Sequence, residues 1–536
     1  MDIHGADLFF HLLHKFGIKR IFGIPGDELE IFDALAHSKI EFVTTRHEQG
    51  AAFMAQAVGK VGSLPGVCIS TLGPGATNLV TGVADAYQNR SPVIVLSGQI
   101  EKKYHDTNPQ AHQYINLQKL FSPVTKASFV LRDVLDIPVV LQKAVDIAMG
   151  GRPGPVHITL PVDVMETVIS KKTSRFSHPH LNPLARLDIK NIQKAIKVLK
   201  KSKYPVAFWG GAMQRRDGAL VRAFEKARIP VMTSFLGKGS FPEFNSLALG
   251  TASRHIKDKL VEVLEKADCF LVFGYDYIEG VSSKIFDKKK IIYFDTVASK
   301  VDHLISPAVE CVGDVSQFSS KFAEELLSDQ YRSNWNLEFI SKIKKSRREQ
   351  ALNNQNLKSF PFNPFKIMQT IQKLSKPKDL IVSDVGVHKQ VIGLGYQVEE
   401  PFGVNFSNGL SSMGFSLPFA AGLRFITPKS QRIISINGDG GFLMNLQELE
   451  TIKRYNLDVK IIIFVDNSFG MIKANLLQKY KRVKNLDFTN PDFESLASSF
   501  GIGFVPVRGK EDLEAALKSL FDSKGPALLA IPAKYA

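Results

Sequence analysis

Apolar positions recur in two rhythms along this 536-residue chain. Runs such as RIISI (432–436) and VKIIIFV (459–465) are almost unbroken, the pattern of strands covered on both faces. Between them Leu446, Leu449 and Ile452 recur at helical spacing. A run, a helix and a second run of this length predict a βαβ unit with parallel strands. The first run leads into Asn437-Gly438-Asp439-Gly440-Gly441 and the second into Asp466-Asn467-Ser468. Parallel strands end on one edge, so two carboxylates 27 positions apart (466 − 439) are expected to converge there.

The same alternation fills three stretches. In residues 1–170, ADLFFHLLHKFG leads to IFGIPG, EFVTTRHE to GAAFMAQAVGKVG, and VCISTLGPGATN to a helix closed by PVIVLSGQ. In residues 189–325 the strand-like pieces are PVAFWGG, IPVMTSF, CFLVFG and KIIYFD. The third stretch, 363–536, holds the βαβ unit described first. The fold class expected is α/β, with three doubly wound parallel-sheet domains. The polar, Pro-containing segment 171–188 reads as a linker, and the basic segment 326–362 as a connector.

Composition narrows the function classes. Hydrophobic residues at 44% and charged residues at 22% are those of a soluble globular protein, and no apolar run approaches the roughly 20 residues of a membrane span. The N-terminal residues carry no secretory pattern, and Cys68, Cys269 and Cys311 are few and scattered, which together predict a reducing cytoplasm. The net charge of +16 is spread in ones and twos and accompanies no nucleic-acid motif. A solvated basic surface, with small anionic substrates drawn to it, is the expectation; nucleic acid and membrane are not expected partners.

Candidate chemistry lies where strands end. Gly438, Gly440 and Gly441 let backbone N–H groups approach an anion at a helix start. Asp439 and Asp466 would repel each other beside a diphosphate unless a divalent cation sat between them, and magnesium takes oxygens from one or two carboxylates plus phosphates. Ser383-Asp384-Val385-Gly386-Val387-His388 follows another apolar pair, Ile381-Val382, and offers Gly386 and His388 at the same edge. Met413 lies in the Gly/Ser loop 406–422, either a core filler or a residue wedged under a ligand. In the first domain Glu48 sits where a strand gives way to an Ala-rich helix; burial there raises a carboxyl pKa and suits it to proton transfer, although a first-turn Glu also serves simply as a helix-terminal charge. Leu72-Gly73-Pro74 is a tight turn before a helix, and His112-Gln113 lies in a polar, aromatic stretch. The central WGGAMQRRDGAL resembles a nucleotide-binding turn only loosely, lacking the G-x-G-x-x-G spacing.

Taken together these motifs resemble the thiamine-diphosphate-dependent enzymes of the acetolactate synthase and pyruvate decarboxylase group. The carriers are GDGG…VDN, FGIPG, TRHEQGAAFMAQAVGK and TLGPGATNLVTGVADA, and the likeness covers nearly the whole chain. The branch it resembles most is the catabolic, FAD-free acetolactate synthases, by Gln113 thirteen residues before Lys126 (126 − 113), PDF at 491–493, and the ending AIPAKY. The resemblance implies thiamine diphosphate and Mg2+, with FAD not expected, and makes the three domains pyrimidine-binding, central and diphosphate-binding. It implies that Glu48 hydrogen-bonds the cofactor pyrimidine and drives its activation, with Gln113 at the same centre. Asp439, Asp466 and the Ser468 carbonyl hold magnesium. Gly386, His388, Gly438, Gly440, Gly441 and Asn467 meet the diphosphate, and Ser411 and Met413 meet the pyrimidine. His112 and Asn475 face the substrate. The active centre lies between subunits, so a homodimer or homotetramer is expected.

Departures from that pattern fall on the substrate side. The loop after FGIPG is one residue shorter than in the catabolic enzymes and lacks their Lys. Asp27 follows Pro25-Gly26, as in pyruvate-type decarboxylases, where the resemblance gives it proton relay. Ser411 and Asn475 stand where the catabolic enzymes carry Gln. The activity implied is decarboxylation of a 2-oxoacid such as pyruvate followed by carboligation. The alternatives are a non-ligating decarboxylase releasing an aldehyde and a catalytically silent cofactor-binding regulator.

Overall fold

Val-, Ile- and Phe-rich runs lie in the sheet interiors because parallel strands are covered by helices on both faces. The structure is a computed structural model that describes residues 2–105, 110–170, 189–216, 218–253, 258–279, 283–299, 306–352 and 359–535. The expected linker at 171–188 lies outside the described residues. β1 (Asp2–His4) pairs antiparallel with a later strand, β8 (Val168–Ser170), and closes the first unit. Between them lie β2 (Arg20–Gly23), β3 (Glu41–Thr44), β4 (Gly66–Ser70), β5 (Val93–Gln99), β6 (Ala127–Val130) and β7 (Pro155–Pro161). They form a six-stranded parallel sheet in the order β3-β2-β4-β5-β7-β6.

The central sheet comprises β9 (Pro205–Trp209), β10 (Val231–Thr233), β11 (Ala248–Thr251), β12 (Cys269–Phe273), β13 (Lys290–Asp295) and β14 (Val309–Val312). Its order is β11-β10-β9-β12-β13-β14. The third sheet is built from β15 (Leu380–Ser383), β16 (Val404–Phe406), β17 (Ile433–Gly438), β18 (Lys460–Val465), β19 (Gly503–Val505) and β20 (Ala527–Pro532). It runs β16-β15-β17-β18-β20-β19, again with every pairing parallel. The α/β class with three doubly wound parallel sheets is the observed fold.

The first and third units share one core. Helix Glu48–Val61 lies against helix Ser416–Arg424, with the Phe53 and Phe415 rings edge to face at 5.5 Å. Gly422 permits that approach, since a Cβ there would stand 2.5 Å from the Met54 carbonyl oxygen. The central unit is pinned to the first by Arg90, whose guanidinium donates two 2.8 Å hydrogen bonds to buried Asp295. Such a fork-to-fork pair is directional as well as charged. The helical spacing after the GDGG turn is realised only over Glu448–Arg454, and the turn itself opens a separate short helix, Asp439–Phe442. Asn445 sits in the break, its side-chain amide donating to the Gly414 carbonyl at 2.8 Å.

Candidate active site

The register of β17 and β18 sets Gly438 beside Phe464, so Asp439 and Asp466 emerge together at the carboxyl edge of the third sheet. Asp439 is buried, and its Oδ2 accepts from the backbone N–H of Asp466 at 3.1 Å and of Asn467 at 2.7 Å. Asn490 Nδ2 donates to the same oxygen at 2.8 Å and to Asn467 Oδ1 at 2.7 Å. The Ser468 hydroxyl donates to Asp466 Oδ2 at 3.0 Å. Burial first, and the neighbouring Asp439 second, push the Asp466 carboxyl up to about 6. Two carboxylates held this close in a partly dry site favour a cation between them. Among the described residues no group of three or more His, Cys, Asp or Glu side chains could hold a metal alone. A cation at Asp439 and Asp466 would therefore share its shell with other oxygens.

These carboxylates line a cavity of about 110 Å³ together with Gly386, His388, Met413, Gly440 and Tyr535. The His388 imidazole is buried, and its Nε2 has no hydrogen-bond partner. Burial pulls its pKa down to about 4, so the ring is neutral at physiological pH. An unpaired buried nitrogen is costly, and its natural complement is a ligand atom in the cavity. A side chain at Gly470 would intrude, because a Cβ there would stand 2.6 Å from Asp466 Oδ2. Burial, with Asp466 and Asp439 nearby, holds the Tyr535 hydroxyl well above its usual range.

Behind the cavity, buried Asp384 accepts from the Gly414 N–H at 3.0 Å and fixes the loop that carries Met413. Burial pushes this carboxyl up to about 7. Lys389 Nζ donates to the Ser407 carbonyl at 2.7 Å and reaches Ser411 Oγ at 3.4 Å. Ser411 is exposed, in a left-handed conformation (φ 57°).

The carboxyl edge of the first sheet carries a second cluster. Glu48 opens its helix, is 6% exposed, and accepts from Asn78 Nδ2 at 3.0 Å. His47 caps the helix, its Nδ1 accepting the Gln49 N–H at 3.1 Å. Gly73 takes φ 57°, and a Cβ there would stand 2.7 Å from the Gln113 carbonyl oxygen. The tight turn before the Pro74–Gln88 helix thus seats Gln113 beside the strand end that holds Glu48. Asp27 is exposed on the rim, whereas its neighbour Glu28 is buried. Glu28 accepts from the Leu72 N–H at 2.8 Å and the Thr71 hydroxyl at 3.0 Å.

The structure thus gathers Gly386, His388, Met413, Gly438, Asp439, Gly440, Gly441, Asp466 and Ser468 around one cavity, with Asn467 tied to Asp439 just behind it. Glu48 and Gln113 lie at a separate edge. His112, Ser411 and Asn475 are exposed and outside the cavity. Sequence reasoning passed over Glu28, Asn78, Asp384, Lys389, Glu448 and Asn490. Only Asp384, one step beyond a strand and two before Gly386, carried a local signal. The central turn has a further feature: the Gly211 N–H donates to Glu279 at 3.0 Å, and Glu279 in turn accepts from Ser234. The Gly211 amide of this turn is thus already bonded to the chain's own carboxylate.

Comparison with known proteins accords with this geometry. Residues 3–120 match the model of the thiamine pyrophosphate enzyme N-terminal TPP binding domain, 192–322 the central domain, and 384–531 the C-terminal TPP binding domain. Acetolactate synthase of Bacillus subtilis (strain 168) is 30% identical, over 99% of this chain and 93% of the relative. The acetolactate synthase large subunit of Buchnera aphidicola subsp. Schizaphis graminum is 32% identical, over 96% and 91%. That of Cyanidium caldarium is 31% identical, over 98% and 92%.

Proposed function

The chain belongs to the thiamine pyrophosphate enzymes, and from that premise we propose that it decarboxylates pyruvate and joins the remaining two-carbon unit to a second pyruvate, giving acetolactate. The observation that carries this reading is the single cavity lined by Asp439, Asp466 and His388, whose buried Nε2 has no hydrogen-bond partner. The donor set fits the group: two carboxylates for magnesium, glycines and a neutral imidazole for a diphosphate. Asp439, Asp466 and the Ser468 carbonyl would hold Mg2+; Gly386, His388, Gly438, Gly440, Gly441 and Asn467 would hold the diphosphate.

When bound, thiamine diphosphate supplies an electron sink that lets a 2-oxoacid lose CO2. The chain's own residues do the rest. Glu48, buried and oriented by Asn78, holds and releases a proton at the cofactor pyrimidine, flanked by Ser411 and Met413. Asp27 relays protons at the reacting centre, Gln113 reaches that centre from the first domain as a hydrogen-bonding amide, and His112 and Asn475 orient the 2-oxoacid. Exposed Leu29, Leu410, Met444, Ile472 and Leu477 on the loops and helices around both edges favour a second copy covering them, in a homodimer or homotetramer. A cytoplasmic setting suits three free, buried cysteines, and among the described residues no helix is long and apolar enough to cross a membrane. The reading includes no flavin, and the Gly211 amide bonded to Glu279 at the central turn supports it.

Exposed Asp27 favours a second reading, release of an aldehyde after proton delivery. Incubation with pyruvate, thiamine diphosphate and Mg2+ separates the two: acetolactate is the expected product, and acetaldehyde without acetolactate overturns the ligase reading.

A further inference from the structure

Glu48 is held in place by a residue of another domain. Glu448 lies on the short helix after the GDGG turn and is fully buried. Its Oε1 accepts from the backbone N–H of Arg46 at 3.1 Å and of His47 at 3.0 Å, and Oε2 accepts from the Thr451 hydroxyl at 2.7 Å. These two amides immediately precede Glu48, and the amide just after it, that of Gln49, is taken by His47. The backbone is therefore pinned on both sides of Glu48. Gly50 makes room, because a Cβ there would stand 2.5 Å from Glu448 Oε1. The same segment holds the strand leading in: Arg454 donates to the Thr44 carbonyl at 2.8 Å, and the Tyr455 hydroxyl accepts from the Thr44 N–H at 3.2 Å.

A carboxylate removed from water is expensive, and the hydrogen bonds that satisfy Glu448 all come from N–H and O–H groups, two of them on the loop before Glu48. A hydrophobic residue would fill the same space more cheaply but would leave both amides unpaired. We propose that Glu448 is a positioning residue for Glu48, acting from the diphosphate-binding domain by fixing the Arg46–His47 backbone. This rests on the reading that Glu48 activates the cofactor. It makes one segment, 438–455, serve both edges, with Asp439 at its start and Glu448 further along.

The test uses Glu448→Leu, which keeps the volume but accepts nothing, alongside Glu448→Gln, whose carbonyl oxygen can still accept both amides. Thr451→Val is the milder variant, should Leu prevent folding. In the cofactor-free protein, Leu should speed hydrogen exchange at the Arg46–Gln49 amides by at least tenfold. In the loaded enzyme kcat should fall by up to about 100-fold. KM for pyruvate and the magnesium-dependent affinity for thiamine diphosphate should stay within threefold. Gln should recover most of kcat, and Thr451→Val should lose about three- to tenfold. Unchanged exchange, unchanged kcat, or a loss of cofactor affinity matching the loss of kcat overturns the proposal. Glu48→Gln run beside them isolates the premise: if it leaves turnover intact, the role given to Glu48 fails; if it abolishes turnover while Glu448→Leu does not, only the positioning role fails.

Discussion

The first and third sheets share one topology and differ in what stands at their edges. Counted by order of appearance, each runs 2-1-3-4-6-5, whereas the central sheet runs 3-2-1-4-5-6, the dinucleotide-binding order. In an open parallel sheet the carboxyl edge is where ligands bind, so topology alone makes all three edges candidates. The third edge offers glycines, two converging carboxylates and an imidazole with one unpaired nitrogen, a set suited to holding a charged group. The first offers two buried carboxylates: Glu28 is taken up by the turn at Thr71 and Leu72, and Glu48 is braced by an amide side chain, a set suited to moving a proton. The central edge, with the right order for a dinucleotide, has its turn closed by Glu279 and the carboxylate that ends β13, Asp295, bound to Arg90. Topology says where a site can be, and the edge residues decide whether there is one and what it does.

If the division between holding and reacting is real, the two edges must fail differently. The largest effect is expected from Glu48→Gln. Losing a general acid–base group costs about 100- to 10,000-fold in turnover, and cofactor affinity by titration should barely move. Asp439→Ala should do the reverse, weakening magnesium-dependent cofactor binding by more than about 100-fold because a direct ligand costs at least what an outer-shell partner does. Equal affinity losses in both variants would erase the distinction.

Much of this division was legible in the sequence, for a physical reason. Asp439 and Asp466 are short side chains one step beyond unbroken strands, so the strand register places them with no tertiary knowledge. Glu48 was legible for the same reason, at the end of a strand and the start of a helix. Glu28 and Glu448 were not, because each acts through backbone amides far away in sequence, at Leu72 and at Arg46 and His47. No spacing rule announces such a partner. Short strands were also missed: β11 carries Gly250 and β14 carries Glu310 within four residues, so neither reads as an apolar run.

Asp27 and Glu28 sharpen the comparison within a single loop. Glu28 is buried and holds the turn at Thr71 and Leu72, so Glu28→Gln should cost about 1–3 kcal/mol of stability. Read as a thermal midpoint, that is about 2–4 °C per kcal/mol for a domain of this size. Asp27 is exposed, so Asp27→Asn should change stability by less than about 0.5 kcal/mol. Its effect should fall on the ratio of acetolactate to acetaldehyde. An unchanged ratio would remove Asp27 from proton handling and leave only Glu28 with a duty in that loop.

The remaining effect concerns pH. Burial pushes the carboxyls of Glu448 and Asp384 up to about 7 from ordinary values of 4.5 and 3.8. A carboxyl with a raised folded-state value binds its proton more tightly in the folded chain than in the unfolded one. Its contribution to stability is complete below the unfolded value and is lost as pH climbs through about 7. Each such group steepens the fall by at most about 1.4 kcal/mol per pH unit across that window. Asp466 is left aside, because a bound cation would reset it. Glu448→Gln should therefore lose less stability than the parent between pH 5 and pH 7.5, measured by urea unfolding of the cofactor-free protein. Parallel curves would mean that Glu448 is ionised throughout. The bonds to Arg46 and His47 would then hold a full charge in the seam between the two domains, and the Gln variant would fall short of the parent in fixing Glu48 even where its geometry is kept.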